Sequence, residues 1–355
     1  MTFTVIGVPG GRRAGLFAAA CRAEGLRVPR VIPWADVLRG ADPEPDPGTL
    51  LRIDSPGKDP ETDALLRGPG EPSRVAGGAR WHENLVRALR RVRPGPHLLN
   101  DPYEIAVMFD KRRTHALLRD AGVPVPPALP GVRDYAGLRA RMAATGERRV
   151  FVKPAHGSSA SGVVALQVSG DRIKAVTSAA RDGEGFHNSL RVRTYETEAE
   201  VAALIDALGP DGLHVERWLP KASMHGLPFD LRVVVVAGEP THAVVRTSRA
   251  PMTNLHLGGR RGDLDAVRRA LGEDGWRRAL DTCARAAACF PRSLMAAVDL
   301  LVGVGLRRFA VAEVNAFGDL LPGLRGLPDG PAPGIDTYTA QIRAAFTRDR
   351  APCPL

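Results

Sequence analysis

The amino-acid sequence predicts an α/β protein in which an N-terminal domain with a parallel sheet precedes two α+β lobes. Three observations lead to this fold class. The chain opens with a β-α-β pattern, which is typical of parallel sheets. Its later parts contain apolar runs that short glycine-containing turns join as hairpins. Finally, 355 residues are enough for two or three packed lobes, whereas a single core rarely grows that large.

The N-terminal domain begins with a predicted strand at residues 4–8, followed by a glycine-containing turn. Apolar residues at helical spacing predict a helix over residues 12–24, and residues 28–31 form the next strand. The turn lacks the glycine spacing of a dinucleotide fingerprint. Arg12 and Arg13 at the helix start could meet an anion, although we interpret them as part of a solvated face.

Arg52, Asp54 and Ser55 stand at the end of a short apolar run in the same domain. Since α/β sheets bind ligands at the carboxyl ends of their strands, these residues are candidates for contacts with an acceptor substrate. An ordinary ion pair in a loop explains them more simply, and we favour that interpretation. Residues 57–78 are rich in glycine, proline and charge and are predicted to form an irregular surface segment.

Two helix starts follow the N-terminal domain. Asn100-Asp101-Pro102 combines a capping side chain with proline at the first helical position. Asp110-Lys111 begins a second helix, which stops at Gly122. Lys111 therefore lies in a first helical turn, where the helix dipole disfavours a cation. A lysine at this unfavourable position suggests an anionic partner.

The chain is organised around the stretch at residues 148–163. A β-branched and aromatic run leads to Lys153, and a loop rich in glycine and serine separates it from a second strand at residues 163–168. Backbone N–H groups, hydroxyls and an ammonium around such a loop suit a polyphosphate. The pattern is not a P-loop, because the lysine precedes the glycines. Taken alone, the stretch is as consistent with a hairpin that has a small-residue turn.

Further elements are predicted downstream: a helix over residues 198–208, strands at 213–220, 230–236 and 242–246, a polar loop at 253–259 and a helical region at 263–290. The polar segment at residues 188–193 receives no assignment.

Two more strands, at residues 296–302 and 309–315, form a predicted hairpin that carries acids within apolar runs. Glu313 and Asn315 are two residues apart and so face the same side, and Asp299 on the partner strand can join them. Two carboxylates and an amide oxygen form a hard-cation site, suited to Mg²⁺ that also holds substrate phosphates. Buried acids without a cation would repel each other and lose hydration, so we favour a metal site over solvated strand-end acids.

Composition narrows the class of protein without selecting a partner. The formal charge is +10, but aromatic residues make up only 5%, and no basic stretch is interleaved with stacking residues. Nucleic-acid binding is therefore a minor interpretation. Cys21, Cys283, Cys289 and Cys353 lack metal-ligand spacing and are interpreted as buried free thiols. Without a signal region or an apolar run of about 18 residues, the chain is expected to be cytoplasmic and to have no membrane partner.

From residue 100 to residue 324 the chain resembles ATP-grasp enzymes, most of all the glutathione-synthetase and RimK-type peptide-ligase branch. The resemblance rests on the order and spacing of several motifs. In chain order these are Asp110-Lys111, Val152-Lys153-Pro154 with the loop from Gly157 to Gly162, Glu216-Arg217-Trp218-Leu219, Asp230-Leu231-Arg232, Arg246, Thr253-Asn254 with Gly258-Gly259, and Asp299 with Glu313-Val314-Asn315. Where the family often has Pro-Gly near the acceptor, this chain has Ala316-Phe317-Gly318-Asp319.

The resemblance implies roles for the matched residues. Those expected to bind ATP are Lys111 and Lys153 at the phosphates, His156, Gly157, Ser158 and Ser159 in a closing lid loop, Glu216, Arg217, Trp218 and Leu219 in a hinge that meets adenine through main-chain groups, Asp230 near the ribose, and Asn254. Arg232 and Arg246 are the implied catalytic residues, which neutralise the γ-phosphate and the acyl phosphate. The implied ligands of Mg²⁺, with Mn²⁺ as the alternative cation, are Asp299, Glu313 and Asn315.

The implied organisation is a fold in which two α+β lobes clasp a nucleotide. Its parts are an N-terminal pre-ATP-grasp domain (1–99), connecting helices with the first phosphate lysine (100–127), the lid subdomain (128–213), the C-terminal catalytic subdomain (214–345) and a tail (346–355). The implied enzyme is an ADP-forming ligase that activates a small-molecule or peptide carboxylate as an acyl phosphate and condenses it with an amine. The alternatives are a kinase-like phosphotransferase and a non-catalytic protein that binds nucleotide or nucleic acid. Homo-oligomerisation is left open.

Overall fold

The computed structural model describes residues 2–57, 59–95, 97–157, 160–183 and 185–350, without the side chains of 348–350. The predicted fold class is confirmed, since a parallel sheet at the N-terminus is followed by two antiparallel sheets with helices packed on them. Ser158 and Ser159 of the predicted lid loop, Cys353, and the last part of the predicted tail lie outside the described residues.

The N-terminal sheet is parallel, as predicted, with the strand order β2-β1-β3. Its strands are β1 (Thr2–Gly7), β2 (Arg30–Pro33) and β3 (Thr49–Ile53). The helices of this domain are α1 (Arg12–Ala23), α2 (Trp34–Arg39), α3 (Pro60–Arg67) and α4 (Gly78–Leu89). The opening β-α-β unit is confirmed, although β2 begins two residues later than predicted.

Helix α3 corrects the prediction that residues 57–78 are irregular. Asp59 caps this helix by accepting a hydrogen bond from the Thr62 backbone N–H at 2.8 Å, and Pro60 occupies the first helical position. The cap-and-proline signal is the same as at residues 100–102. At residues 59–60 the signal is surrounded by glycines and prolines, which favour a loop. The burial of Leu66 in the core stabilises the helix.

The second sheet is antiparallel, with the strand order β7-β6-β5-β4-β8, and falls mostly in the segment predicted to be the lid, a name kept here for this part of the fold. Its strands are β4 (Arg149–Pro154), β5 (Val164–Ser169), β6 (Arg172–Asp182), β7 (Gly185–Tyr195) and β8 (Leu213–Arg217). The helices α5 (Pro102–Met108) and α6 (Lys111–Asp120) lead into it, and α7 (Tyr135–Thr145) and α8 (Glu198–Leu208) pack on it.

Two features of the lid could not be read from the sequence. Residues 188–193, which received no assignment, belong to β7, and Asn188 and Arg193 pair with β6 on the two sides of a register shift. Strand β8 pairs with β4, so residues 213–217 complete the lid sheet, although the predicted lid ends at residue 213.

A short segment of the N-terminal domain is attached to the outer edge of the lid. The Asn188 backbone N–H donates to the Ser73 carbonyl at 2.6 Å, and the Val75 N–H donates to the Phe186 carbonyl at 3.0 Å. Asp211 at the other end of the lid accepts the backbone N–H of Gly77 at 2.6 Å, at the start of α4. These contacts cover part of the free edge of β7, and they tie the lid to the N-terminal domain.

The third sheet is also antiparallel, with the order β12-β11-β10-β13-β14, and β9 pairs with β10 at its side. The strands are β9 (Ser223–Met224), β10 (Leu227–Val236), β11 (Glu239–Thr247), β12 (Arg260–Arg261), β13 (Met295–Val302) and β14 (Phe309–Asn315). The helices of this part are α9 (Leu264–Ala288), which is interrupted at Gly272, and α10 (Thr337–Arg350).

The two faces of the third sheet have different environments. Leu231 and Val233 of β10 pack in one core with α9 residues such as Ala279. On the opposite face Val234 packs in a core shared with Phe17 of the N-terminal domain and with α10. The part of this opposite face that α10 does not cover carries charged residues, and it forms the wall of a cleft toward the lid.

None of the helices in the described ranges combines the length and the apolar character needed to cross a membrane. Cys21 and Cys283 are buried free thiols, as predicted, whereas Cys289 is partly exposed.

Candidate nucleotide and metal site

The proposed metal ligands come together at the junction of β13 and β14. Asp299 on β13 is the direct cross-strand partner of Glu313 on β14, and Asn315 follows two residues later on the same strand. The Asn315 amide nitrogen donates to the Ala297 carbonyl at 3.4 Å. The structure thus places two carboxylates and one amide on neighbouring positions of a single hairpin.

The chemistry of these donors fits Mg²⁺, which prefers oxygen ligands and usually keeps several positions for water or substrate phosphate. In the part of the chain that the structure describes, no three His, Cys, Asp or Glu side chains form a group that could hold a metal ion. A cation at this hairpin therefore has to draw on the amide oxygen of Asn315 and on oxygens of its substrate, in addition to the two carboxylates.

Asp299 is held by both of the arginines that the resemblance singles out. Arg232 on β10 donates through Nε and Nη2 to the two carboxylate oxygens at 2.7 and 2.8 Å, and Arg246 on β11 donates through Nη1 at 3.1 Å. Burial alone would raise the pKa of Asp299, but the two guanidinium groups outweigh it and lower the pKa to about 2. The carboxylate is therefore ionised at neutral pH, as a metal ligand must be.

Lys111 connects the second acid to the lid loop. Its ammonium lies 3.0 Å from a Glu313 carboxylate oxygen and donates to the Gly157 carbonyl at 2.7 Å. Asp110 caps helix α6 by accepting the backbone N–H of Arg112 at 2.9 Å, and this cap fixes the position of the first helical residue. Lys111, Gly157 and Glu313 thus meet at one point of the cleft.

Lys153 and Glu216 form a buried pair between neighbouring strands of the lid. The Lys153 ammonium lies 2.5 Å from Glu216 Oε1, and His214 approaches the other carboxylate oxygen at 3.1 Å. Burial would raise the pKa of Glu216, but Lys153 and His214 hold it at about 2. The Glu216 side chain thus positions the lysine, whereas the sequence assigned Glu216 only to the main chain of the hinge.

The remaining hinge residues divide into two groups. The backbone N–H groups of Arg217 and Trp218 donate to carbonyls of residues 127 and 149. Their side chains pack on the lid, where Arg217 pairs with Glu147 and Trp218 contacts the ring of Phe151. Leu219, the last residue of the predicted hinge, lines a cavity.

That cavity has a volume of about 560 Å³ and lies between the hinge and the β13–β14 turn. Its walls include Leu219, Pro220, Leu301 and Ala310. Leu301 is two residues from Asp299 and pairs across the sheet with Asp230, so it shares their face. A largely apolar cavity on the same strand as a metal-ligand candidate suits a flat heteroaromatic base.

His156 lies where the lid loop meets the N-terminal domain. Its Nε2 is 3.2 Å from Asp110, and its ring stacks on His82 of α4 with centroids 4.1 Å apart. The Asn254 side chain caps a short 3₁₀ turn by accepting the His256 backbone N–H at 2.7 Å.

Asp230 and a residue that the sequence analysis missed, Lys221, lie on the floor of the cleft. Asp230 accepts from Arg246 Nε at 2.7 Å and from the hydroxyl of Thr253. The ammonium of Lys221 donates to the Pro251 carbonyl at 2.9 Å and to the Thr253 hydroxyl at 3.0 Å. The only sequence signal for Lys221 is its position just after the proline that ends the hinge.

The structure corrects the interpretation of Arg13 as part of a solvated face. Its guanidinium lies 2.6 Å from Asp319 and 3.5 Å from Asp54, while Arg52 lies 2.6 Å from the other Asp319 oxygen. Arg52 and Asp54 are fully buried and lie 3.7 Å apart, so the favoured ion pair exists, but it lies in the core. Ser55 accepts the Gly57 N–H at 3.1 Å.

Comparisons with known proteins bear on the fold. No protein-family model and no curated protein sequence matches the chain. Solved structures match over nearly its whole length. D-cycloserine synthetase DcsG has a TM-score of 0.57 at 18% identity, and the match covers 98% of this chain and 100% of that one. The ATP-grasp ligase PsnB, complexed with a minimal precursor, has a TM-score of 0.54 at 19% identity and coverages of 98% and 99%.

A third neighbour is PurK, N5-carboxyaminoimidazole ribonucleotide synthetase, in its ADP complex, with a TM-score of 0.59 at 12% identity. The match covers 97% of this chain and 76% of PurK. At these identities the similarity establishes the fold and not the activity. The chain thus shares its fold with DcsG, PurK and PsnB, the last of which is an ATP-grasp ligase.

Proposed function

We propose that the protein is an ATP-dependent, ADP-forming ligase that joins a carboxylate to an amine. The observation that carries the proposal is the convergence of Lys111, Arg232 and Arg246 on the Asp299–Glu313 pair, beside an apolar cavity at the hinge. Cations that neutralise these acids are the groups that can hold a polyphosphate once a metal ion takes the acids.

Under this proposal the residues of the site have three roles: metal binding, phosphate binding and stabilisation of developing charge. Asp299, Glu313 and Asn315 hold Mg²⁺, and bound Mg²⁺–ATP supplies the phosphoryl group that activates the carboxylate. Lys111 and Lys153 hold phosphate oxygens. Arg232 and Arg246 stabilise the charge that develops when a carboxylate oxygen attacks the γ-phosphorus and when an amine displaces phosphate from the acyl carbon.

The lid and the N-terminal domain have supporting tasks in the same proposal. His156, Gly157 and the serines that follow cover the phosphates and exclude water, which would hydrolyse an acyl phosphate. The proposed limits of the lid, 128–213, are best extended to include all of β8, because that strand belongs to its sheet.

The proposed substrates include both small molecules and peptides. PsnB has been solved with a minimal precursor, and PurK is a ribonucleotide synthetase. The chain is 19% and 12% identical to them, so an acid and an amine from either class, small molecule or peptide, belong in the test.

The test is an ADP-release screen of purified protein with Mg²⁺–ATP over amino acids and small peptides, with mass detection of products. We expect ADP release with at least one pair and a condensed product. Lys153→Met and Glu313→Gln should each lower the rate by about 100-fold or more while the protein stays folded. Lys174→Met and Glu196→Gln alter an exposed ion pair on the lid and should leave the rate of ADP release unchanged.

Two outcomes would overturn the proposal. Protein that neither binds Mg²⁺–ATP nor releases ADP with any pair is not a ligase. A product that gains the mass of a phosphate and forms no amide identifies a phosphotransferase instead.

A further inference from the structure

Lys221 begins a continuous chain of hydrogen bonds that runs from the hinge to Asp299. Its ammonium donates to the Thr253 hydroxyl at 3.0 Å, and that hydroxyl donates to Asp230. Asp230 accepts from Arg246 Nε at 2.7 Å, and Arg246 Nη1 donates to Asp299 at 3.1 Å. The charges along this path alternate from lysine through aspartate and arginine to aspartate.

The chain of hydrogen bonds is buried throughout. The side chains of Lys221, Asp230, Arg246 and Asp299 are all less than a tenth exposed. Charged groups are costly to bury unless each is paired and hydrogen-bonded. Removing the lysine would therefore deprive the Thr253 hydroxyl of its donor and Asp230 of a positive charge 4.0 Å away.

The backbone on either side of Lys221 borders the cavity at the hinge. Lys221 forms a β-bridge with Gly303, and the Ala222 N–H donates to the Val302 carbonyl at 2.7 Å. Pro220 and Gly303 both line the cavity. One end of the hydrogen-bonded chain thus lies at the proposed base pocket, and the other end is a proposed metal ligand.

The same lysine fixes the loop that faces the lid. Its ammonium also donates to the Pro251 carbonyl at 2.9 Å. The next residue, Met252, packs in a small apolar cluster with Val163 and Ala165 of the lid. Two of the three ammonium protons are used in these contacts, so Lys221 is suited to acting through its partners and not as a direct phosphate ligand.

We propose that Lys221 is a positioning residue that aligns Asp230, Arg246 and Asp299 for binding of Mg²⁺–nucleotide and couples the hinge to the metal site. This inference rests on the proposed function, since it concerns the same cleft. The sequence motifs give no role to Lys221, and neither does the geometry of the hinge.

The charge of Lys221 provides a readout that a purely structural contact would lack. Burial lowers the pKa of Lys221 to about 8. The acids Asp230 of β10 and Asp299 of β13 oppose this shift, and the cations Arg246 of β11 and Lys153 of β4 add to it. Raising the pH through this value removes the positive end of the chain. Arginine at this position would stay charged, because a guanidinium does not deprotonate in proteins.

The experiment measures the Kd for Mg²⁺–ADP by calorimetry between pH 7 and pH 9.5, on folded protein checked by circular dichroism. Wild-type affinity should fall above pH 8. Lys221→Met should bind about tenfold more weakly or worse at pH 7, with a flat profile. Lys221→Arg should recover part of the affinity, and its Kd should not change between pH 8 and pH 9.5. Lys174→Met is the matched control and should behave like the wild type.

A second variant keeps the inference testable if a change at Lys221 disturbs folding. Thr253→Val breaks the chain one link further on and retains the lysine. It should weaken Mg²⁺–ADP binding by a similar factor, and the double variant should lose no more than the stronger single one, because both changes cut the same path.

The outcomes separate the two proposals. If wild-type protein binds Mg²⁺–ADP and Lys221→Met binds it within twofold of wild type, the positioning role is wrong and the proposed function stands. Additive losses in the double variant would likewise overturn the positioning role. If the wild type binds no nucleotide, both proposals fail together.

Discussion

Arg52 and Asp319 form an ion pair that joins the N-terminal sheet to the end of the candidate site. The guanidinium Nη2 lies 2.6 Å from Asp319 Oδ2, and the two side chains are 1% and 0% exposed. Gln341 of α10 also donates to Asp319, at 3.0 Å. Because Asp319 lies four residues after Asn315, this pair anchors the turn that follows the proposed metal-ligand strand.

Replacing Asp319 by Asn should destabilise the fold by about 3–5 kcal/mol, because it removes the carboxylate nearest to the buried Arg52 and the partly buried Arg13 and leaves Asp54 as the acid beside them. The free energy of unfolding in urea measures the effect. Asp42→Asn is a matched control, since its pair with Arg91 is exposed and should contribute less than about 1 kcal/mol. Equal losses in the two variants would show that the buried pair has no special weight.

The acid dependence of stability should differ between wild type and Asp319→Asn. Arg52 and Arg13 outweigh the effect of burial and lower the pKa of Asp319 below its ordinary value of 3.8. Below that value the unfolded chain binds the proton first, so the stabilisation by Asp319 is present above pH 3.8 and is lost as the pH falls toward the folded pKa.

We therefore expect the gap in unfolding free energy between wild type and Asp319→Asn to narrow by up to about 1.4 kcal/mol per pH unit below pH 4. Urea titrations at pH 5, 4, 3 and 2.5 measure this gap. Parallel curves over that range would mean that the Asp319 pKa is the same in the folded and unfolded states.

Gly318 should not tolerate a side chain. A Cβ at this position would lie 2.3 Å from the Ala297 Cβ and 3.2 Å from the Asn315 Cβ. Gly318→Ala should therefore displace the turn and Asn315 together, and it should cost about 1–3 kcal/mol of stability. Weaker Mg²⁺–ADP binding should accompany the loss of stability.

The control for Gly318→Ala is Gly15→Ala in helix α1, where an added Cβ meets nothing within 4 Å. There alanine should stabilise the helix slightly, by about 0.5–1 kcal/mol. Thermal unfolding and calorimetry on both variants test the pair of expectations. If folded Gly318→Ala binds Mg²⁺–ADP as tightly as the wild type, the turn at Gly318 does not position the metal ligands.

Leu301→Trp should narrow the cavity at the hinge. Leu301 lines this space of about 560 Å³ and is only partly buried, so a larger ring can enter the cavity without disrupting the core. We expect the Kd for Mg²⁺–ADP to rise about tenfold, equivalent to about 1.4 kcal/mol, with little change in thermal stability. Val28→Trp, at a position 56% exposed, is the control. A Kd that does not change would place the base elsewhere.

Local patterns in the sequence were sufficient for much of the fold. Helix α8 has the predicted limits because Thr197 and Glu200 form a capping box, which acts within one turn. The β13–β14 hairpin and its two acids followed from the period-2 pattern, since side chains two apart share a face of a strand. These features depend on neighbours in the sequence, so the sequence alone determined them.

Only the tertiary structure decided which charges meet. Arg13 and Asp319 are 306 residues apart, and no local pattern distinguishes their buried pair from two solvated side chains. The same holds for Lys221, whose charged neighbours come from four strands. Burial and pairing of charge depend on long-range packing, which removes water from these groups and leaves each with a partner of opposite sign.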